Sequence, residues 1–300
     1  MWTRWGTTSQ KDSYVTAGGS PTVRRRRLAA ELRRLREAAD LTCDEVGEQL
    51  EWSGSKVSRI ETGRVGVRPR DVRDLLDIYG VTDEGHRDAL VRLAREARQK
   101  GWWHIYEDAL PEGFEIYIGL EAEASSTRHF QIDVVPGLLQ TENYTRSVVR
   151  AFGLVLSPDE VEHRVAVRSA RQARLTGDDP LQLWAVLDEA ALHRQVGGKG
   201  VMREQLNHLV DMHGLPNVTL QVLPFAAGAH TGMGNIFTIL GFLEPNDPDV
   251  VYLEGLTGSL YVEKTDEVEQ HSSIFDHLRT IALSPDDSAA MITAMIKEIP

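Results

Sequence analysis

The sequence predicts an α+β protein of two domains, an all-α head of five helices followed by a mixed α+β body. Three observations lead there. Apolar residues recur at helical spacing through the first hundred residues, short β-branched runs bounded by turn residues appear only after residue 180, and the balance of charge reverses between the two regions. Length agrees, because 300 residues with 41% hydrophobic content can fill more than one core.

Residues 1–20 hold Gly18, Gly19 and Ser20 and no apolar periodicity, so they read as a disordered tail. Residues 21–100 read as the helical domain, 101–111 as a linker and 112–300 as the α+β domain. The first helix starts near Thr22 and sets Leu28, Leu32, Leu35 and Ala39 on one face; Asp40 and Leu41 break it. Thr42-Cys43-Asp44-Glu45 has the form of a capping box and opens a second helix, which buries Val46 and Leu50. After the break at Glu51-Trp52-Ser53, Ser53 caps a third helix with Val57 and Ile60 inward, ended by Thr62-Gly63. A basic loop from Arg64 to Arg70 precedes a fourth helix over Asp71–Tyr79. Thr82-Asp83-Glu84 starts a fifth that runs toward Lys100.

From Gly101 the pattern changes to an aromatic-rich stretch containing Trp102, Trp103, Tyr106, Phe114, Tyr117 and Phe130. The loop Val135–Thr141 leads into a helix over Glu142–Phe152. Ser157-Pro158-Asp159-Glu160 combines an N-cap serine, proline at the first helical position and a glutamate that closes a capping box, giving a helix to about Leu175. Strands are expected at Leu181–Leu187, Val218–Leu223, Asn235–Phe242 and Val250–Glu254, with a helix near Val201–His213 and two closing helices, the last opened by Ser284-Pro285-Asp286.

The net charge of −12 taken alone argues against nucleic acid as a partner, and its distribution reverses that. Residues 21–100 carry 18 basic and 15 acidic side chains, residues 101–300 carry 13 and 29, so the acid is gathered in the body while the head is mildly basic. No run of about 18 apolar residues and no signal-peptide core occur, which predicts a cytoplasmic protein with no membrane partner. The lone Cys43 excludes an internal disulfide and a cysteine-rich metal site.

The chemistry lies in the joint arrangement of the second helix, the break and the third helix. Gly47 is small where the two helices approach, and Val46, Leu50, Val57 and Ile60 lock their crossing. The opposite side of the third helix is left with Gly54, Ser55, Lys56, Ser58 and Arg59, small or hydrogen-bonding and none acidic. A helix presented this way fits the major groove of double-stranded DNA. Arg59, Ser55, Lys56 and Gly54 are the expected base-facing residues, with Arg59 suited to guanine. Phosphate contacts are expected from Thr42, Cys43, Ser53, Ser58, Arg64, Arg68 and Arg70. Since one such helix reads only a few base pairs, a homodimer on an inverted-repeat operator is expected.

The run Thr42-Cys43-Asp44-Glu45-Val46-Gly47 followed by Ser53-Gly54-Ser55-Lys56-Val57-Ser58-Arg59-Ile60-Glu61-Thr62-Gly63 resembles the Xre/phage-repressor helix-turn-helix family. The resemblance implies that Gly54, Ser55 and Arg59 face bases. Glu51 departs from it by standing where the turn usually has glycine. Tyr117-Ile118-Gly119-Leu120-Glu121, Val135–Thr141, Leu187–Leu192, Gln221–Phe225 and Tyr252–Gly258 resemble the large C-terminal domain of unknown function in actinobacterial regulators of the WhiJ-like type. That implies a transcriptional regulator with a small protein partner encoded nearby.

Arg24–Arg27 reads as a solvated helix start before a minor-groove arm, and Cys43 as an inert thiol before a redox switch. Asp188, Glu189, His193, His230, Glu254 and Tyr261 could support acid–base chemistry only if held within hydrogen-bond reach, which sequence proximity does not establish. No metal-ligand spacing or phosphate-loop pattern is present, so neither enzyme activity nor any metal or cofactor is expected. The body is read as sensing a ligand or docking a partner; the alternative is an antitoxin-like module that autoregulates through its DNA-binding head.

Overall fold

The computed structural model describes residues 20–299 apart from 112, 154–155, 245–246 and 256–257. The tail expected over residues 1–20 lies outside the described residues except for Ser20. That residue is buried and caps the first helix by accepting from the Thr22 N–H at 3.2 Å. Backbone contacts divide the chain into two compact units, Met1–Ile105 and Tyr106–Pro300.

The first unit contains α1 (Pro21–Ala38), α2 (Cys43–Gln49), α3 (Gly54–Glu61), α4 (Pro69–Ile78) and α5 (Glu84–Glu96). Their inward faces meet in one core of Leu28, Leu32, Val46, Val57, Ile60, Val72, Leu75, Leu76, Leu90 and Ala94. Both halves of the Thr42–Glu45 capping box are made. Asp40 and Glu51, which follow α1 and α2, take left-handed backbone conformations with φ of 57° and 56°, so each helix reverses within a few residues.

Residues Trp102–Ala109 form a 3₁₀ helix in which Trp103 and Ala109 are buried. The second unit then runs α6 (Phe114–Glu123), β1 (Ser126–Gln131), α7 (Glu142–Phe152), α8 (Pro158–Gln172), β2 (Gln182–Asp188), α9 (Glu189–His193), α10 (Lys199–His213), β3 (Val218–Leu223), β4 (Phe237–Gly241), β5 (Val250–Gly255), β6 (Gly258–Val262), α11 (Thr265–Ile281) and α12 (Pro285–Glu298). The strands make one mixed sheet in the order β3-β2-β1-β4-β5-β6, parallel from β3 to β1 and antiparallel from β1 to β6. On one face Phe130, Val186, Phe237, Ile239 and Val251 pack under Phe275 and Leu278 of α11.

Tyr252, Thr238 and His129 are cross-strand neighbours in the register, so they share the other face, where α6 lays Tyr117 on Tyr252 at 4.5 Å between ring centroids. Beneath it Arg171 of α8 grips Glu121 of α6 through both carboxylate oxygens, at 2.7 and 2.8 Å. Both side chains are buried. Burial pushes the Glu121 carboxyl up, and Arg171 outweighs this and holds it below the usual range. The loop before α7 is tied down by side-chain amides. Gln140 donates to the Val135 carbonyl, Gln205 spans the Thr141 N–H and the Leu139 carbonyl, and Gln172 donates to the carbonyls of Gly137 and Gln140.

Four elements of the body escaped the sequence reading. Helix α6 lies inside the aromatic-rich stretch; Tyr117, Ile118, Leu120 and Glu121 are all buried, so the helix is covered on several sides and has no amphipathic stripe. Strand β1 is central yet reads Ser-Thr-Arg-His-Phe-Gln, because tertiary partners satisfy its polar residues. Arg128 pairs with Asp249 at 3.0 Å, and His129 bonds the hydroxyls of Thr127 at 2.9 Å and Thr238 at 3.1 Å. Helix α9 is a single turn, and β6 is masked by its glycine and serine.

Burial lowers the pKa of His129 to about 4, below the ordinary value of an exposed imidazole. The folded state therefore holds the ring neutral, while the unfolded chain takes up a proton near pH 6.5. Stability from this group is complete above that pH and is lost as pH falls toward 4, amounting to about 3 kcal/mol across the window. Denaturant titrations of wild type and His129→Gln at pH 7 and pH 5 should show a smaller acid loss in the variant; equal losses would dismiss the assignment.

Candidate nucleic-acid interface

The geometry of α3 follows from how tightly α2 approaches it. A Cβ on Gly47 would meet the Trp52 carbonyl oxygen at 2.8 Å, and one on Gly54 would stand 1.8 Å from Asp44 Oδ1. Backbone thereby restricts Gly47 to glycine, whereas at Gly54 the obstacle is the Asp44 carboxylate, which can turn aside, with the nearest backbone atom, Asp44 Cα, at 3.1 Å. The missing side chain of Gly54 faces α2, so that residue offers only backbone to a ligand. Ser53 caps α3 by accepting from the Lys56 N–H at 3.2 Å, and Val57 and Ile60 are buried.

With that side fixed inward, Ser55, Ser58 and Arg59 are exposed along the other. Arg59 Nε donates to the Ser55 carbonyl at 3.3 Å, which lays the guanidinium stem back along the helix. The Lys56 ammonium sits 3.3 Å from the centroid of the Trp52 ring, a cation–π contact that narrows the directions in which it can reach. Beyond α3, Arg64, Arg68 and Arg70 are exposed. Arg70 stands 4.0 Å from Asp74; Arg64 and Arg68 make no ion pair with any described residue.

At the start of α2 the environment is different. The Thr42 N–H and hydroxyl both donate to Glu45 Oε2, at 2.7 and 2.8 Å, so its donors are engaged within the cap. Cys43 is half-buried with Sγ 3.9 Å from Glu61 Oε2. Burial, then the Glu61 carboxylate, pushes its thiol pKa up, the opposite of what a reactive cysteine needs. Arg24 belongs to α1, 3.5 Å from Glu96 and 3.3 Å from the Gln99 side-chain oxygen, so it is engaged with the far end of the head.

Sequence reasoning missed the group that holds α3 at its angle. Glu61, the last residue of α3, is buried. Its carboxylate accepts from Arg36 Nε of α1 at 2.9 Å to each oxygen and from the Tyr79 hydroxyl, just past α4, at 3.2 Å. Arg36 also donates to the Leu41 carbonyl at 2.7 Å. Burial, then Glu61, raises the Tyr79 phenol far above its ordinary range, so it stays a donor throughout. The signal was present as the Glu-x-Gly ending of the motif, but nothing local identified Arg36 and Tyr79 as its partners.

In the body Asp188 and Glu189, at the junction of β2 and α9, each pair with a histidine, and Glu254 and Tyr261 stand apart from them. Asp188 Oδ1 accepts from the Ala190 N–H at 2.9 Å and caps α9, with His230 at 3.7 Å from its other oxygen. Glu189 accepts from the Phe225 N–H at 2.8 Å and from His193 at 3.0 Å. Glu254 lies on β5, separated from β2 by β1 and β4, and Tyr261 donates to the Gly113 carbonyl at 3.0 Å. Among the described residues no group of three metal-ligating side chains converges, and no helix is long and apolar enough to cross a membrane.

Two families match the chain. A helix-turn-helix domain matches residues 27–90, which contain α2 to α4 and most of α1 and α5. A domain of unknown function, DUF5753, matches residues 114–294, well over half the chain. Neither the curated proteins nor the solved structures contain a match.

Replacing Glu61 by alanine removes the acceptor shared by the half-buried Arg36 and the Tyr79 hydroxyl and should cost about 3 kcal/mol, whereas Tyr79→Phe should cost about 1 kcal/mol. Denaturant unfolding of the head measures both, and equal effects would contradict the network. Glu51→Gly should instead stabilise the head by about 1 kcal/mol, because glycine relieves the left-handed backbone; a lower unfolding midpoint would contradict it.

Proposed function

The chain belongs to the family of the domain of unknown function DUF5753, and from its joining of that domain to a helix-turn-helix head we propose a sequence-specific transcriptional regulator of the Xre, WhiJ-like type. The observation that carries this reading is the uncovered side of α3. It is built from Ser55, Ser58 and Arg59, flanked by Arg64 and Arg68, which have no ion-pair partner among the described residues, and carries no carboxylate of its own. Arg59 is the base reader, able to span guanine O6 and N7; Ser55 and Lys56 complete the base-facing set, and the backbone at Gly54 permits close approach. Ser53, Ser58, Arg64, Arg68 and Arg70, with the Cys43 N–H and a Thr42 released from its cap, bind phosphate.

The regulator works as a homodimer on an inverted repeat in the cytoplasm. Residues 21–100 are the DNA-binding domain, 101–111 the connection and 112–300 the regulatory domain, whose acidity turns it away from DNA. That domain senses a ligand or docks a small partner protein. An open groove of about 450 Å³ between α9, α10 and α12, lined by Leu192, Leu206 and Met295 beside His193 and Lys199, is the surface we assign to either role.

Sequencing of genomic DNA bound by the protein identifies the operator. On that operator, Arg59→Ala should cost about 1 to 3 kcal/mol and relax preference at one base pair. Arg68→Ala should weaken all sequences alike and reduce the salt slope by about one counterion. Equal affinity of the wild type for operator and random duplex would refute sequence-specific regulation.

A further inference from the structure

The sheet of the body has two edges, and the fold treats them differently. Outside β3, the Val222 N–H donates to Ser288 Oγ at 2.9 Å and the Val222 carbonyl accepts from the Leu283 N–H at 2.9 Å, so the connection into α12 and its first turn cover that edge. At the opposite edge β6 makes no backbone hydrogen bond to a described residue apart from its β5 partners. The Gln182 N–H donates to the Ser125 carbonyl, so Ser126, Arg128 and Phe130 face β4; carried through the register, the hydrogen-bonded pairs of β5 and β6 are Gly255–Gly258, Leu253–Leu260 and Val251–Val262. Gly258, Leu260 and Val262 therefore direct their N–H and C=O groups to β5, while Ser259 and Tyr261 direct theirs outward.

A strand left this way normally carries a charge, a proline or a bulge to prevent pairing. Gly258-Ser259-Leu260-Tyr261-Val262 has no charge and no proline, and its register with β5 is unbroken. Leu260 is 58% exposed and stands opposite Leu253, on the face covered by α11.

We propose that β6 is the seam of the dimer, pairing antiparallel with β6 of a second copy about a twofold axis at Leu260. This rests on the two-copy reading above and assigns it a surface. The strand is its own complement. Pairing about Leu260 sets Gly258 against Val262 and Ser259 against Tyr261, small against large, and the outward amides and carbonyls of Ser259 and Tyr261 meet those of the second copy. Leu260 then falls at a non-hydrogen-bonded site, where side chains approach most closely, and the two leucines cover each other. In a chain of net charge −12, an uncharged strand lets two copies meet without setting carboxylate against carboxylate.

A seam of five residues is small, so the free dimer should dissociate at micromolar concentration. Sedimentation equilibrium of the full chain should show a dimer whose dissociation constant rises at least tenfold in Leu260→Lys, with unchanged thermal unfolding of the diluted monomer. Leu260→Cys should cross-link to a dimer under mild oxidation, whereas Leu243→Cys, at another exposed leucine, should not. A wild-type dimer that Leu260→Lys leaves intact, with Leu260→Cys cross-linking no faster than Leu243→Cys, overturns the seam and spares the two-copy reading. A wild type that is monomeric throughout, the outcome expected if a foreign strand occupies this edge, overturns both.

Discussion

The buried carboxylate of Glu61 is the constraint on which the head depends. It terminates α3 and is held from two sides, by the Arg36 guanidinium of α1 and the Tyr79 hydroxyl beyond α4. An ion pair of this kind contributes little net stability over an apolar replacement, but separating its partners is costly, because it leaves the buried Glu61 carboxylate uncompensated. The consequence is directional. Apolar contacts at Val57 and Ile60 bury one side of α3, and the Glu61 network fixes the helix's axis, so the side bearing Ser55 and Arg59 stays uncovered.

The body repeats the device at its own centre. Glu121 and Arg171 tie α6 to α8 against the sheet face that carries His129, Thr238 and Tyr252, with the Phe114 and Tyr117 rings beside the guanidinium. Around the loop before α7, Gln140, Gln172 and Gln205 pair with backbone groups, while Arg168 donates to Gln140 through one nitrogen and leaves its buried Nε without a partner among the described residues. Each such bond restricts the packing, since a buried polar group that loses its partner is costly in a low-dielectric interior.

Most of the head was legible because its signals are local. The Thr42–Glu45 box, the Ser53 cap and the spacing of Leu28, Leu32, Val57, Ile60, Val72 and Leu76 each act within one or two turns of helix. Gly47 was readable as a point of close approach, whereas the contact of Gly54 with Asp44 was not, because Asp44 belongs to the preceding helix. In the body the capped helices α8 and α12 and the β-branched strands were equally plain. Strand β1 was not, since its arginine and histidine look exposed until Asp249, Thr127 and Thr238 are placed beside them.

The sequence by itself determined the division of charge, the helical head, its caps, and the residue types available on α3. Those follow from composition and from interactions between near neighbours along the chain. Only the tertiary structure decided that Glu61 would gather Arg36 and Tyr79, that Lys56 would lie on Trp52, that Thr42 would be engaged by Glu45 through both its donors, and that β6 would be left at an open edge while β3 is covered. The physical reason is that burial and hydrogen-bond satisfaction are set by everything that packs against a residue. Most of what packs against Glu61, His129 or β3 comes from far along the chain.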